Sequence, residues 1–180
     1  MDTIVIVIIA IVAVLLIAFI GISNGLNRAI VKIDEAASGI DVALTKRYDV
    51  LTKMVDTCNS FVKHENEIMF EVIKLRSGSS IQEKNEANRA MSQGFNKVMA
   101  LAESYPELKS SDTFVTLQKS VLDVEEHLQA ARRLYNSNVS LYNQKIVTFP
   151  SSIIAGMKGM SKKEFFEAED TKREDVKISI

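Results

Sequence analysis

The sequence is short of most residues that build chemistry. Its 180 residues include a single cysteine, Cys58, which excludes an intramolecular disulfide and a cysteine-based zinc site. Two histidines, His64 and His127, leave little scope for histidine-rich metal chemistry. Two prolines and seven glycines are too few for an all-β or loop-rich fold, and tryptophan is absent. A net charge of −1 and a pI of about 6.2 carry no footprint for nucleic acid. Charge is also missing locally. The first 22 residues hold one charged side chain, Asp2, whereas charged residues are 25% of the whole chain. The average composition therefore describes neither part.

What fills the uncharged stretch is hydrocarbon. Ile4 to Ile20 is an unbroken apolar run, and Ile22 extends it past Gly21. As a helix, this stretch spans roughly 28 Å, close to the hydrocarbon core of a bilayer. The run is rich in β-branched residues but too long for one strand, and in lipid only a helix satisfies its own backbone groups. The alternative is a cleaved signal peptide. Against it stand the acidic Asp2 in place of a basic leader and an apolar stretch beyond the usual length; for it stands the small-residue spacing of Gly21 and Ser23. A retained anchor is the expectation. Arg28 and Lys32 follow the run and no basic residue precedes it, which puts the N-terminus outside and the rest of the chain in the cytoplasm.

The remainder reads as long amphipathic helices. Ser23-Asn24-Gly25 is the expected hinge. Beyond it Leu26, Ile30, Ile33, Ala37, Ile40 and Leu44 step by four and three, a coiled-coil-like seam. The seam resumes at Tyr48, Leu51, Val55, Cys58 and Val62 after a second step of four, a stutter that rotates the stripe. Ile68, Met69, Val72 and Ile73 continue it to a linker at Ser77-Gly78-Ser79-Ser80. Such a helix would be ~76 Å long, so a bend near the stutter or a protruding stalk is expected. A second helix is predicted from Ile81 to Tyr105, faced by Ala87, Met91, Val98, Leu101 and Tyr105, with Phe95 and Met99 beside them; Pro106 ends it. A third starts near Ser110-Ser111-Asp112 and follows Phe114, Leu117, Val121, Val124, Leu128, Ala131, Tyr135, Asn138 and Tyr142 until Pro150. Ser151 to Met160 is a short amphipathic segment. The fold class is all-α: an N-terminal transmembrane helix followed by an antiparallel up-and-down helical bundle with long helices. The expected division is 1–25 anchor and hinge, 26–160 bundle, and 161–180 mobile charged tail.

Catalytic motifs are missing. His64-Glu65 opens like a zincin motif, but Ile68 stands where the second histidine belongs. His127 lacks the Glu-x-x-His spacing of di-iron bundles because Val124 occupies the glutamate position. No P-loop, Gly-x-Ser-x-Gly or dinucleotide fingerprint occurs. Cys58 lies on an apolar stripe and reads as a small buried hydrophobe. The polar residues on the seams are more informative. Asn138 either fixes register as a buried amide or marks where the stripe surfaces. Tyr135-Asn136 recurs seven residues later as Tyr142-Asn143. With Arg132-Arg133, Asp41 and Lys46-Arg47-Tyr48-Asp49, these residues could form an interhelical polar network or a partner-docking face.

Several blocks resemble the LemA family. Asp41-Val42-Ala43-Leu44, Lys46-Arg47-Tyr48-Asp49 and Val62-Lys63-His64-Glu65 resemble its first block. Leu101-Ala102-Glu103-Ser104-Tyr105-Pro106-Glu107-Leu108-Lys109 resembles the central one. Ala131-Arg132-Arg133, Tyr135-Asn136, Tyr142-Asn143, Phe149-Pro150-Ser151 and Ile153-Ile154-Ala155 resemble the third. The chain departs from the family where tryptophan is common, at Ala37-Ser38, where proline is common, at Thr52, and at Asp175-Val176-Lys177 in place of Val-Pro. The resemblance implies a bacterial membrane protein with a short outward N-terminus, an N-terminal transmembrane helix, a helical bundle and no established enzymatic activity. It also implies accessory roles, since some relatives are associated with membrane proteases or magnetosome membranes. The expected function is a non-enzymatic, single-pass scaffold or adaptor that docks a protein partner or a second copy at the membrane, with no cofactor, metal or nucleic acid. The alternative is a membrane-remodelling or lipid-contacting protein, suggested by Ile153 to Met160 beside Lys158, Lys162 and Lys163.

Overall fold

A computed structural model describes residues 3–61 and 79–167. Among these residues there are five α-helices and no strand: α1 (Thr3–Phe61), α2 (Ile81–Ser104), α3 (Pro106–Lys109), α4 (Asp112–Val147) and α5 (Ser151–Met157). Val62, Ile68, Met69, Val72, Ile73, His64 and the expected linker residues Ser77 and Gly78 lie outside the described residues, as do 168–180 of the tail.

Helix α1 passes through Ser23-Asn24-Gly25 without a break, so the expected hinge is absent. Glycine in a helix costs only about 1 kcal/mol. A run of hydrogen-bonded turns on both sides outweighs that cost, because each residue added to an existing helix gains a bond. Residues 4–20 are exposed on all sides, and the helix contains a window long and apolar enough to cross a membrane. From Leu26 the exposure becomes one-sided. Leu26, Ile33, Ile40, Leu44, Arg47, Leu51, Met54 and Cys58 are buried, and Ile30 and Ala37 are half-buried. These positions alternate steps of four and three from 26 to 58. The stripe therefore needs no stutter. Arg47 and Met54 occupy the seam where the sequence pointed to Tyr48 and Val55, which are half-buried. Arg47, a charged residue, stands in phase with the apolar seam.

The other helices begin and end on local chemistry. Ser80 caps α2 in a reciprocal box: the Glu83 amide donates to Ser80 Oγ at 3.2 Å, and the Ser80 amide donates to Glu83 Oε2 at 2.6 Å. These bonds to the ionised form hold the Glu83 carboxyl below its ordinary range. Helix α2 stops at Ser104, and Pro106 opens the short α3 at its first turn, where a missing N–H costs nothing. The Phe114 amide donates to Ser111 Oγ at 3.3 Å and starts α4. Helix α4 ends at Val147, ahead of Pro150. Helix α5 ends in a Schellman turn, with Gly159 at a φ of 64° and the Met160 amide donating to the Ala155 carbonyl at 2.9 Å.

The chain divides into two units, Met1–Ala37 with Leu134–Glu164 and Ser38–Arg133 with Phe165–Ile180. In the first, Leu26, Ala29, Ile33 and Ala36 of α1, Tyr135, Val139, Tyr142 and Ile146 of α4, and Ile154 and Ala155 of α5 are buried. In the second, the buried residues include Ile40 to Cys58 on the α1 seam, Ala87, Met91, Phe95, Val98 and Ala102 of α2, and Phe114, Val124 and Leu128 of α4. The expected α2 face is rotated slightly: Ala102 is buried, while Leu101 is half-buried and Tyr105 exposed. In this unit Asp41 pairs with Lys84, Arg47 with Asn88 and Ser92, and Leu51 lies against Gly94. Contacts that rise together along both helices mean that α1 and α2 run in the same direction.

Gly94 is required by close packing. A Cβ there would sit 2.8 Å from Leu51 Cδ2, whereas a Cβ at Gly39 would meet nothing within 4 Å. Overpacking a filled core costs about 1–3 kcal/mol, while removing a solvent-facing helical glycine recovers up to about 1 kcal/mol. Gly94→Val is therefore expected to lower the unfolding midpoint of the detergent-solubilised chain, and Gly39→Ala to leave it unchanged or raise it. Denaturant titration followed by circular dichroism measures both.

Candidate functional site

The polar residues singled out from the sequence fall into two networks, one in each unit. In the second unit Arg47 is 4% exposed and is held between α2 and α4. Its Nη1 donates to Asn88 Oδ1, its Nη2 donates to Ser92 Oγ at 2.8 Å, and Nη2 pairs with Glu125 Oε2 at 3.3 Å. The guanidinium carbon lies 5.5 Å from the Phe95 ring centre, a cation–π contact in a poorly hydrated setting. A planar donor fork suits this setting better than an ammonium, because it serves several acceptors at once. One end of the same α2 row holds Lys84, itself buried, whose Nζ lies 2.8 Å from Asp41 Oδ1. Lys84, Asn88 and Ser92 recur every four residues, so α2 presents a polar row to α1 beside its apolar stripe.

In the first unit the Tyr-Asn repeat of α4 clamps the chain that follows α5. Tyr135 Oη donates to the Glu164 carbonyl and Tyr142 Oη to the Ser161 carbonyl, each at 3.1 Å. Asn143 pairs with Lys163 twice: its Nδ2 donates to the Lys163 carbonyl, and its Oδ1 accepts the Lys163 amide, both at 2.9 Å. Burial raises both phenols above their ordinary value, and the Glu164 and Asp34 charges add to the shift at Tyr135. Asn138 is half-buried and donates through Nδ2 to the Lys32 carbonyl of α1 at 3.1 Å, which ties the two helices in register. Tyr48, Arg132 and Asn136 are half-buried, and Arg133 is exposed.

Residues 161–164 are therefore a pinned strap, contrary to the expectation of a mobile tail from 161 onward. The correction extends into the second unit. There Phe166 is buried, the Glu167 amide donates to Asn85 Oδ1 at 3.1 Å, and the Glu167 carboxylate meets Arg89 Nη2 at 2.6 Å. Heptad spacing of Tyr135 and Tyr142 signalled a shared face, but the strap's short-range sequence carries no periodicity to announce what that face holds. Lys84, Asn88, Ser92 and Glu125 were not singled out from the sequence. For the three on α2 the signal was their four-residue spacing.

No group of three or more His, Cys, Asp or Glu placed to hold a metal occurs among the described residues. Cys58 is buried, and burial pushes its thiol up, away from the thiolate needed for nucleophilic chemistry. What the two networks do chemically is orient helices and fix a strap.

Two expectations follow. Removing Arg47 strands Asn88 and Glu125, so Arg47→Leu should destabilise the chain by about 2–4 kcal/mol, and the double variant Arg47→Leu with Asn88→Leu should recover part of the loss, because a buried polar group without its partner costs more than an apolar pair. Denaturant titration of the single and double variants measures the difference. For the strap, Asn143→Ala should speed tryptic cleavage at Lys162 and Lys163. Raising pH should do the same in the parent chain. Phenols whose folded pKa is raised contribute stability that is complete below their ordinary value of 10.0 and is lost as pH rises through the folded values.

The chain is similar in sequence to several known proteins. Protein LemA of Metamycoplasma hominis is 27% identical over 166 residues, covering 89% of this chain and 76% of the relative. Magnetosome protein MamQ 2 of Paramagnetospirillum magneticum is 28% identical over 81 residues, 45% of this chain and 30% of the relative. Magnetosome protein MamQ of Magnetospirillum gryphiswaldense is 28% identical over 80 residues, 44% and 29% respectively. The chain thus spans under a third of the magnetosome proteins it matches. The LemA family model matches residues 36–180, from the middle of the α1 seam through the clamp and the strap, and the chain belongs to the LemA family.

Proposed function

We propose that the chain is a non-enzymatic, single-pass membrane scaffold that docks a protein partner at the bilayer surface. The observation that carries this reading is α1 itself. One helix presents apolar side chains on all sides over 4–20 and then a one-sided seam from Leu26. A segment exposed on every face belongs in lipid, and a one-sided stripe belongs in a packed protein. Membrane association is also consistent with the magnetosome relatives. The N-terminus lies outside and the helical body in the cytoplasm in this reading, supported by Arg28 and Lys32 after the span. The buried polar groups are occupied with holding helices together, which leaves the outer surface to act.

Partner docking, or pairing with a second copy, would use outward apolar side chains such as Val42 and Leu122 of the second unit. Photo-crosslinking residues placed at Val42 and Leu122 of the full chain in native membranes test this. Discrete heteromeric or dimeric adducts are the expected result. Recovery of monomer alone from both positions would overturn the docking reading.

A further inference from the structure

The membrane-proximal end of the first unit carries a surface that the scaffold reading does not use. In this unit Asn138 of α4 meets Lys32 of α1, and Lys158, just after α5, meets Asn27 through its Nζ at 3.3 Å. Moving forward from α4 through α5 therefore moves back down α1 towards the span. Residues 138–147 advance about 14 Å as helix, and residues 32 to 22 of α1 cover about 15 Å. The end of α4 and the turn into α5 thus reach the level of Ile22, where the apolar span ends.

That turn displays apolar side chains outward. Phe149 is 76% exposed, Ile153 58% and Met157 73%, at four-residue spacing, with Val147 exposed beside them. On the opposite side Ile154 and Ala155 are buried. Helix α5 is therefore amphipathic, with an inner face already satisfied and an outer apolar face without a protein cover among the described residues.

The surrounding charge is of one sign. No aspartate or glutamate occurs in 3–33 or in 127–163. Within the first unit these stretches carry Arg28, Lys32, Lys145, Lys158, Lys162 and Lys163, all exposed. Acidic groups of this unit, Asp2, Asp34, Glu35 and Glu164, lie beyond the acid-free stretches. Apolar side chains rimmed by cations suit the boundary between acyl chains and anionic headgroups.

We propose that the α4–α5 turn is an interfacial foot. Phe149, Ile153 and Met157 enter the headgroup–acyl boundary of the bilayer that α1 spans, and Arg28, Lys145 and Lys158 contact anionic phospholipid headgroups. The occupant is lipid because the face is held by its own fold at the level where the span ends. The foot gives the first unit a second attachment to the bilayer beside the anchor.

The absence of tryptophan allows a direct test in the full chain, since Phe149→Trp, Met157→Trp and, at an exposed site on the opposite side of α4 from Leu122, Thr113→Trp are each single reporters. The proteins are reconstituted into phosphatidylcholine vesicles with or without phosphatidylglycerol and quenched by spin-labelled lipid or by aqueous acrylamide. The expected result is blue-shifted emission at 149 and 157, quenched by label near the headgroup end of the acyl chain, with acrylamide quenching at least about twofold weaker than at 113, as an interfacial position requires. Lipid quenching should increase with phosphatidylglycerol. Equal acrylamide quenching at all three positions overturns the proposal. Protection at 149 and 157 from both quenchers also overturns it, because it reports a protein cover such as a second copy. Lipid quenching that ignores phosphatidylglycerol overturns the headgroup assignment. None of these outcomes depends on whether Val42 or Leu122 docks a partner.

Discussion

One helix serving two solvents is the constraint on which the rest depends. Over 4–20 every face of α1 carries hydrocarbon, and the helix satisfies its own backbone bonds, as a spanning segment must. From Leu26 the same helix offers only a stripe, and the other helices are placed by that stripe. The stripe keeps alternating steps of four and three to Cys58, the periodicity that holds a seam on one side of a long helix. The adjoining Gly25 has no neighbour for an added Cβ, so its presence reflects no packing demand.

The buried polar groups act on specificity rather than on chemistry. A guanidinium at a seam position gains less than an apolar residue would, because desolvation offsets much of its pairing energy. What it adds is discrimination. Sliding α2 by one turn along α1 would part Lys84 from Asp41 and leave Arg47 beside only one of Asn88 and Ser92, while an apolar seam would tolerate the slip more readily. The Tyr-Asn pairs of α4 do comparable work on a non-helical segment, where side chains replace the backbone ladder that the strap lacks.

Much of this fold was readable from spacing. The apolar span, the ends of α2 near Ser80 and Pro106, the Ser111 start of α4 and the α4 stripe all follow from periodicity and capping. The stripe positions from Phe114 to Tyr142 are buried or half-buried throughout. What escaped was polar chemistry at apolar positions. Counting only hydrophobic residues skipped Arg47 and created a stutter at Tyr48. Ser23-Asn24-Gly25 looked like a hinge because local propensity favours a break, yet about 1 kcal/mol per unfavourable residue does not stop a helix already propagating from both sides. The strap at 161–167 escaped because its partners lie far away in sequence, on α4 and on α2. Asp41, Arg47, Tyr135, Asn138, Tyr142 and Asn143 bond within the chain, an arrangement that their spacing alone does not distinguish from a partner-docking face.

The continuity of α1 between lipid and protein is the central claim, and a distance across the supposed hinge tests it most directly. Ile17 and Glu35 are both exposed and stand on one side of the helix, five turns apart. With Cys58→Ser as background, spin labels at Ile17→Cys and Glu35→Cys in the bilayer-reconstituted chain report that separation by pulsed dipolar spectroscopy. A continuous helix predicts a single narrow distribution centred near about 27 Å, plus the label tethers. A broad distribution, or one centred well below that distance, would show a hinge at Ser23-Asn24-Gly25 and contradict the account.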